Sequence, residues 1–363
     1  MRKGYCFRMS WSVHAVQLPE GDQPIDLWVN NAGCLVAEPV ADAEPLPGRY
    51  VAPGLVDAHA HPTLGWAAGA PVAVGEAETL NVLATWAQSG VCLVRDTGSP
   101  AGWVLQLDLQ PGMPRLQAAG RFLAPAGQYF PALLLDEVPE QQLTELALAE
   151  LVRGGRWVKL IADFPPITDG MPSGRPSPTY SADAIKTMVA AVHAAGGRVA
   201  AHTTTDLVSQ LVRAGVDSVE HGTAIDESDL QLMARAGTAW TPTLCAVFNL
   251  ADDAPEAVRE RIADYQERLF ELLPLAQRLG VPILTGTDAT GTIAREVTLL
   301  AQYGLEPAAA LAAATVNAYR FLAEAYDVHG QPTTLVTYDN DPREDLAVLS
   351  SPSAILIDGV RVR

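Results

Sequence analysis

Val56-Asp57-Ala58-His59-Ala60-His61-Pro62 begins as an apolar run and ends in two histidines one residue apart. Residues two apart on a strand face the same side, so a strand starting at Leu55 aims both imidazoles at one spot beyond its end. His-X-His alone is only moderately specific, because surface and core histidines also fall at that spacing. Its weight depends on the rest of the chain.

Downstream of this run, short β-branched or apolar segments alternate with longer amphipathic ones, the pattern of repeated βα units and a parallel sheet. The predicted strands are Leu55–Ala58, Val91–Arg95, Arg115–Ala119, Trp157–Ile161, Arg198–Ala201, Ser218–Glu220, Thr238–Pro242 and Pro282–Thr285. Helical patterns such as Glu76–Gln88, Leu143–Val152, Ser181–Ala195 and Asp206–Ala214 lie between them, and several run into glycine, a frequent helix end. Asp252–Arg278 reads as an enlarged helical excursion of the seventh unit and Glu306–Ala323 as the closing helix. Eight such units in 363 residues suit one α/β barrel of about 250 residues plus a small accessory domain. Residues 13–52 and 328–363 are short, Pro- and Gly-punctuated strand-like segments, predicted to meet as that accessory domain.

Further polar residues sit where strands end. Lys159 lies inside Trp157-Val158-Lys159-Leu160-Ile161, His202 ends Val199-Ala200-Ala201, His221 follows Ser218-Val219-Glu220, and Asp288 follows Ile283-Leu284-Thr285-Gly286-Thr287. The C-terminal rim of an α/β barrel is where active sites are built, so ligands from strands 1, 4, 5, 6 and 8 can surround one centre. Each residue has a plainer reading: Lys159 could pair with Asp163, either histidine could be a hydrogen-bonded core residue, and Asp288 could cap the next helix. Their joint appearance in order favours the site. His193, in a helical stretch, and His14 and His329, in the accessory segments, are left out of it.

These segments, together with Ala52-Pro53-Gly54-Leu55-Val56-Asp57, Arg95-Asp96-Thr97-Gly98, Ala214-Gly215-Val216-Asp217-Ser218-Val219-Glu220-His221-Gly222 and Ala314-Thr315-Val316-Asn317-Ala318, resemble the amidohydrolase superfamily over nearly the whole chain. The resemblance is to its binuclear branch, which includes imidazolonepropionase-related Xaa-Pro dipeptidases and arginine carboxypeptidases. It implies a (β/α)8 TIM barrel over residues 53–324 and a small β-sandwich domain formed by residues 1–52 and 325–363. It also implies two divalent metal ions, one held by His59, His61 and Asp288 and the other by His202 and His221, with Lys159 bridging them as a carbamate derived from carbon dioxide. Imidazole and carboxylate ligands make zinc the first choice, with manganese, iron and cobalt left open.

The reaction implied is hydrolysis of an amide or peptide C–N bond in a dipeptide, N-acyl amino acid or similar small molecule, with Asp288 moving the proton. A lactonase, ester or carbamate hydrolase could use the same site. A deaminase or imidazolone-ring hydrolase is the other alternative, disfavoured because the related one-metal enzymes lack the lysine that is Lys159 here. Two departures from the family bear on the substrate pocket. Gly127-Gln128-Tyr129 stands where relatives carry Gly-Gly-His, so that Tyr129 is expected either to donate a hydrogen bond to substrate or to pack at the rim. Thr203-Thr204-Thr205 replaces the usual small apolar residues after His202. Arg95-Asp96 is given no catalytic role.

Composition narrows the remaining classes. The net charge of −18 and the lack of a basic tract argue against nucleic acid as a partner. No apolar run approaches the roughly 20 residues needed to span a bilayer, so no membrane partner is expected. Met1–Val13 lacks the apolar stretch of a secretory signal and reads as unprocessed, with Met9 an alternative start. Cys6, Cys34, Cys92 and Cys245 are too scattered for a disulfide framework or a cysteine zinc site, and a cytoplasmic setting follows. A small-molecule substrate is the expected partner, and a homo-oligomer is compatible with the sequence.

Overall fold

A computed structural model of the chain describes residues 9–67, 70–251 and 254–363. Cys6 and most of the expected unprocessed start therefore lie outside the described residues, as do Asp252 and Asp253 at the head of the expected excursion. The fold is mixed α/β.

The βα alternation is present, but its strands form two parallel sheets. One has the order Arg115–Ala118, Val91–Asp96, Leu55–Ala60. The other has the order Phe122–Leu123, Trp157–Ile161, Arg198–Thr203, Ser218–His221, Ala239–Thr241. The described strands thus depart from one continuous ring of eight in two places. The third strand is cut after Ala118, and Gly120 takes φ +75° before the chain resumes extended pairing at Phe122. That is a left-handed conformation which glycine adopts without a Cβ penalty. The eighth run, Pro282–Thr285, makes isolated bridges in place of a ladder: Ile283 with Trp240, and Asp288 with Ala60. Backbone bonds from Leu284 N to Trp240 O and from Ala58 N to Thr285 O, both 2.9 Å, hold it between the two sheets.

Alternation along the strands separates two cores. Val56, Ala58, Leu93, Trp157, Ala200, Ala239 and Leu284 pack together as an apolar floor inside the strands. Their neighbours Val94, Val158, Leu160, Val199 and Val219 face the surrounding helices. Period-2 side-chain direction then places Arg95, Lys159, His202, Glu220 and Thr241 above that floor, because each follows an inward residue by two.

Helices Glu76–Gln88, Leu143–Val152, Ala182–Ala194 and Val208–Ala214 fall where periodicity puts them, and Glu256–Leu279 supplies the excursion. The predicted closing helix is two, Pro307–Ala313 and Val316–Phe321. Between them the Thr315 hydroxyl donates to the Leu311 carbonyl at 2.7 Å, a side-chain bond that competes with helix continuation. Among the described residues no helix is long and apolar enough to cross a membrane.

Strands from the two ends of the described chain share a sheet. Tyr50–Ala52 pairs antiparallel with Leu335–Tyr338 inside one eight-stranded sheet that also holds Trp11–Gln17, Pro24–Val29 and Ala354–Ile357. The sequence predicts a sandwich, whereas the described strands form one hydrogen-bonded sheet burying Trp11, Val13, Val29, Val51, Leu335 and Leu356 in a common cluster.

Candidate active site

Just above the apolar floor, at the C-terminal ends of the strands, a cavity of about 230 Å³ is lined by all seven predicted residues: His59, His61, Tyr129, Lys159, His202, His221 and Asp288. A larger cavity, about 360 Å³, lies against Val281–Ile283 and Asn317–Phe321 and contains none of them. The chemistry-bearing residues select the smaller one.

Two backbone features bring the histidines in. Asp57 and Ala60 on the first strand pair with Val94 and Asp96, so the first strand carries one extra residue. That bulge reverses the alternation and turns His59 and His61 to the same side as the floor residues Val56 and Ala58. On the sixth strand alternation makes Glu220 the inward residue. His221 joins it through a left-handed backbone at φ 66°, matched by Thr243 at φ 50° and Asp288 at φ 56°. Such conformations cost of order 1 kcal/mol or more for non-glycine residues and cluster at functional sites. Gly286 lies beneath: a Cβ there would come within 2.5 Å of the His59 Cβ and 2.7 Å of the Thr241 Cγ2, so only glycine lets the eighth segment pass so close.

Each of three imidazoles has its Nδ1 engaged away from the cavity. His59 Nδ1 lies 2.6 Å from Glu220 Oε2, His61 Nδ1 2.8 Å from the Gly98 carbonyl, and His221 Nδ1 2.6 Å from Thr243 Oγ1. The Thr243 hydroxyl itself donates to the Pro242 carbonyl, so it accepts from His221. With Nδ1–H donating outward, Nε2 is left with its lone pair toward the centre, the tautomer that ligates metals. Asp288 Oδ1 stands 3.1 Å from His61 Nε2 and 3.9 Å from His59 Nε2, and the Lys159 Nζ is 3.4 Å from His59 Nε2. The ring of His202 is 4.6 Å from that of His221. Ligand atoms of His59, His221 and Asp288 lie within 4.8 Å of one another, a spacing at which such groups can hold metal.

Charge in the site follows from burial. Desolvation, with Lys159 beside it, pushes His59 down to about 3. Desolvation takes His202 to about 4 against the pull of Asp163. Burial and then the neighbouring His202 and His59 hold His221 well below the ordinary imidazole range. All three rings are therefore neutral at pH 7, the form a metal requires. Lys159, 1% exposed, is lowered by burial to about 8 despite Glu220 and Asp288. Burial would raise Asp288, but the surrounding imidazoles, His61 nearest and then His59 and His221, favour its charged form and hold it well below the ordinary carboxylate range. Buried imidazoles around a carboxylate, with a buried amine beside them, fit a divalent cation by donor chemistry.

The supporting residues were less visible in the sequence. Glu220 accepts from Arg95 Nη2 at 2.9 Å as well as from His59. Arg95 also donates to the Ala58 carbonyl and to Ser218 Oγ, and stacks on Trp157 at 4.4 Å. It is a buried cation that fixes Glu220. Alternation in Ser218-Val219-Glu220-His221 was the signal that could have found Glu220. Asp163, the alternative partner for Lys159, is instead engaged by Thr203 Oγ1, Thr204 N at 3.0 Å and Thr205 Oγ1 at 2.9 Å, which accounts for the three threonines.

Tyr129 packs its ring against Phe122, Phe130 and Phe164 at 5.0, 5.6 and 5.0 Å, and burial raises its hydroxyl above the ordinary phenol range. Burial likewise raises the Cys92 and Cys245 thiols, so neither offers a thiolate nucleophile. His14 and His193 pair with Asp26 and Asp217 away from the cavity.

The model of the amidohydrolase family matches residues 50–325. An uncharacterized protein of Mycobacterium tuberculosis is 33% identical over 361 residues, covering 96% of this chain and 94% of its own. Among solved structures, a prolidase complexed with N-methylphosphonate-L-proline is similar with a TM-score of 0.80 at 23% identity, over 97% of this chain and 99% of that one. A Xaa-Pro dipeptidase with bound methionine gives 0.78 at 21%, with the same coverage. At these identities the two structures speak for the fold.

Proposed function

Because the chain belongs to the amidohydrolase family, we propose that it is a metal-dependent enzyme cleaving the C–N bond of an amide or peptide in a small substrate such as a dipeptide or an N-acyl amino acid. That it is a hydrolase follows from the family. The observation carrying the finer reading is the set of three imidazoles with Nδ1 tied outward and Nε2 left for the centre, beside an ionised Asp288.

In this reading His59, His61 and Asp288 would hold one ion, His202 and His221 would hold a second, and Lys159, as a carbamate, would serve as a further ligand. Zinc suits these ligands first. Bound there, the ions would supply Lewis acidity toward a carbonyl and a water of lowered pKa. The residues do the rest. Glu220 and Thr243 keep the imidazoles in the ligating tautomer. Asp288, exposed to the cavity through a quarter of its side chain, accepts the proton of the attacking water and returns it to the leaving nitrogen.

The same reading joins the two parallel sheets into one (β/α)8 barrel over residues 53–324, with residues 1–52 and 325–363 as a separate small β domain. The bonds of Leu284 and Ala58 across the eighth segment support that closure. A small molecule is its partner and the cytoplasm its setting, in keeping with the acidic charge and scattered cysteines.

Zinc-loaded protein screened against dipeptide and N-acyl amino acid libraries should release free amine, and a chelator should stop it. Failure to hydrolyse any member of a wide amide, ester and lactone panel when metal-loaded would overturn the proposal.

A further inference from the structure

The reaction above leaves one wall of the cavity unused. Trp66 lines the cavity from the hairpin Leu64–Ala67 with Ala70–Ala73, and it is 55% exposed, an unusual state for a tryptophan with apolar neighbours available. Phe130, Leu133 and Phe164 continue the same wall. An exposed tryptophan at the mouth of an apolar, partly aromatic pocket offers a face on which a ligand ring gains contact area beyond ordinary burial.

Charge tells the other half. Among the described residues lining the cavity, the sole lysine or arginine is Lys159, sunk to 1% exposure on the floor beside His59. Among the described residues no guanidinium or free ammonium lines the aromatic wall, so a carboxylate carried there would find no charged partner. At about 230 Å³ the space admits a small ligand only.

We propose that the substrate is a neutral amide carrying one ring-sized apolar group, which rests against Trp66, Phe130 and Phe164, and that recognition needs no free carboxylate. This rests on the hydrolase reading and names the substrate class of that site. In the reaction, the oxygen of water bonds to the carbonyl carbon and the C–N bond breaks. The nitrogen leaves with one proton taken from the water, giving a carboxylic acid and a free amine.

Two ketones in which a methylene replaces the amide nitrogen, 4-phenylbutan-2-one and butan-2-one, test the pocket without being hydrolysed. Calorimetry on the metal-loaded protein should show the phenyl ketone binding about 10- to 100-fold more tightly, the worth of burying one aromatic group. Trp66→Ala should erase several-fold of that difference and Trp66→Phe should retain it, with circular dichroism unchanged for both. Equal affinities, binding of neither ketone, or indifference to Trp66→Ala would overturn the proposal. Turnover is read separately, on N-acetyl-phenylalaninamide and on the free acid N-acetyl-phenylalanine. The amide should be cleaved at least as well as the acid, and a strict need for the acid would also overturn it. Ketone preference with no hydrolysis of any amide would leave the ring pocket standing and defeat the hydrolase reading. Amide hydrolysis without ketone preference would do the reverse.

Discussion

One wall of the cavity consists of strand ends and the other of loops. His59, His61, Lys159, His202, His221 and Asp288 stand on or just past strands whose backbone is held on both sides, and the Nδ1 atoms of His59, His61 and His221 are fixed by Glu220, Gly98 and Thr243. Trp66, Phe130, Leu133 and Phe164 come from a hairpin, a short 3₁₀ turn with its flank and a two-residue strand. Groups that must act together within a few tenths of an ångström belong on the rigid wall, and groups that need only present apolar area can belong to the other. Substitutions should therefore divide by wall: those among strand ends change chemistry, those among loops change which substrate is preferred.

The largest effect should come from Asp288→Asn, which keeps the shape but removes the proposed proton acceptor. A fall in kcat of about 100- to 10,000-fold with an unchanged melting temperature is expected. An active variant would remove Asp288 from the proton path. Next, Glu220→Gln takes away the carboxylate that orients His59 and neutralises Arg95, so metal affinity should drop about 10- to 100-fold. Because it also leaves a buried arginine uncompensated, this variant should unfold earlier by about 3–5 kcal/mol, unlike Asp288→Asn. Equal metal affinity in Glu220→Gln and the parent protein would break the link between floor and site.

On the loop wall, Tyr129→Phe keeps the ring among Phe122, Phe130 and Phe164. Its kcat should stay far inside the ~100-fold loss that removal of an oxyanion donor produces. A loss of that size in kcat and kcat/KM together would move Tyr129 to the chemical wall.

The smallest effect concerns Glu296, which is buried and accepts from Leu244 N and Cys245 N, both at 2.8 Å, anchoring the start of the short helix Leu244–Val247 that carries Ala246 and Val247 into the cavity lining. Burial raises this carboxyl from its ordinary 4.5 to about 7. A raised folded value means that the stabilising proton is fully held below about 4.5 and lost as pH climbs through 7. Stability should therefore decline over that window, by at most about 1.4 kcal/mol per pH unit, and Glu296→Gln should flatten the decline. A slope unaffected by the substitution would assign the pH dependence to other groups.

The same division explains how much could be read from the sequence. Strand ends have a period, and Lys159, His202 and the His-X-His pair could be placed because residues two apart on a strand share a face. Glu220 obeyed that rule and was overlooked beside the more conspicuous His221, which breaks it through its left-handed backbone. The eighth run was found as a segment, yet its reduction to isolated bridges depends on Gly286 passing under His59, a contact between residues more than two hundred positions apart. The hairpin of the aromatic wall, Leu64–Ala67 with Ala70–Ala73, and the break at Thr315 have no repeating pattern to reveal them. Local chemistry in long loops is set by tertiary packing, and one chain's sequence does not display it.

Zinc titration of the metal-free protein in bicarbonate buffer, with bound metal and amide hydrolysis followed together, tests the metal site at the strand ends most directly. Hydrolysis should rise with added zinc and level off at two ions per chain, and in Lys159→Ala the second ion and the activity should disappear together. Full hydrolysis in the chelated protein, or saturation at one ion with Lys159→Ala unaffected, would contradict it.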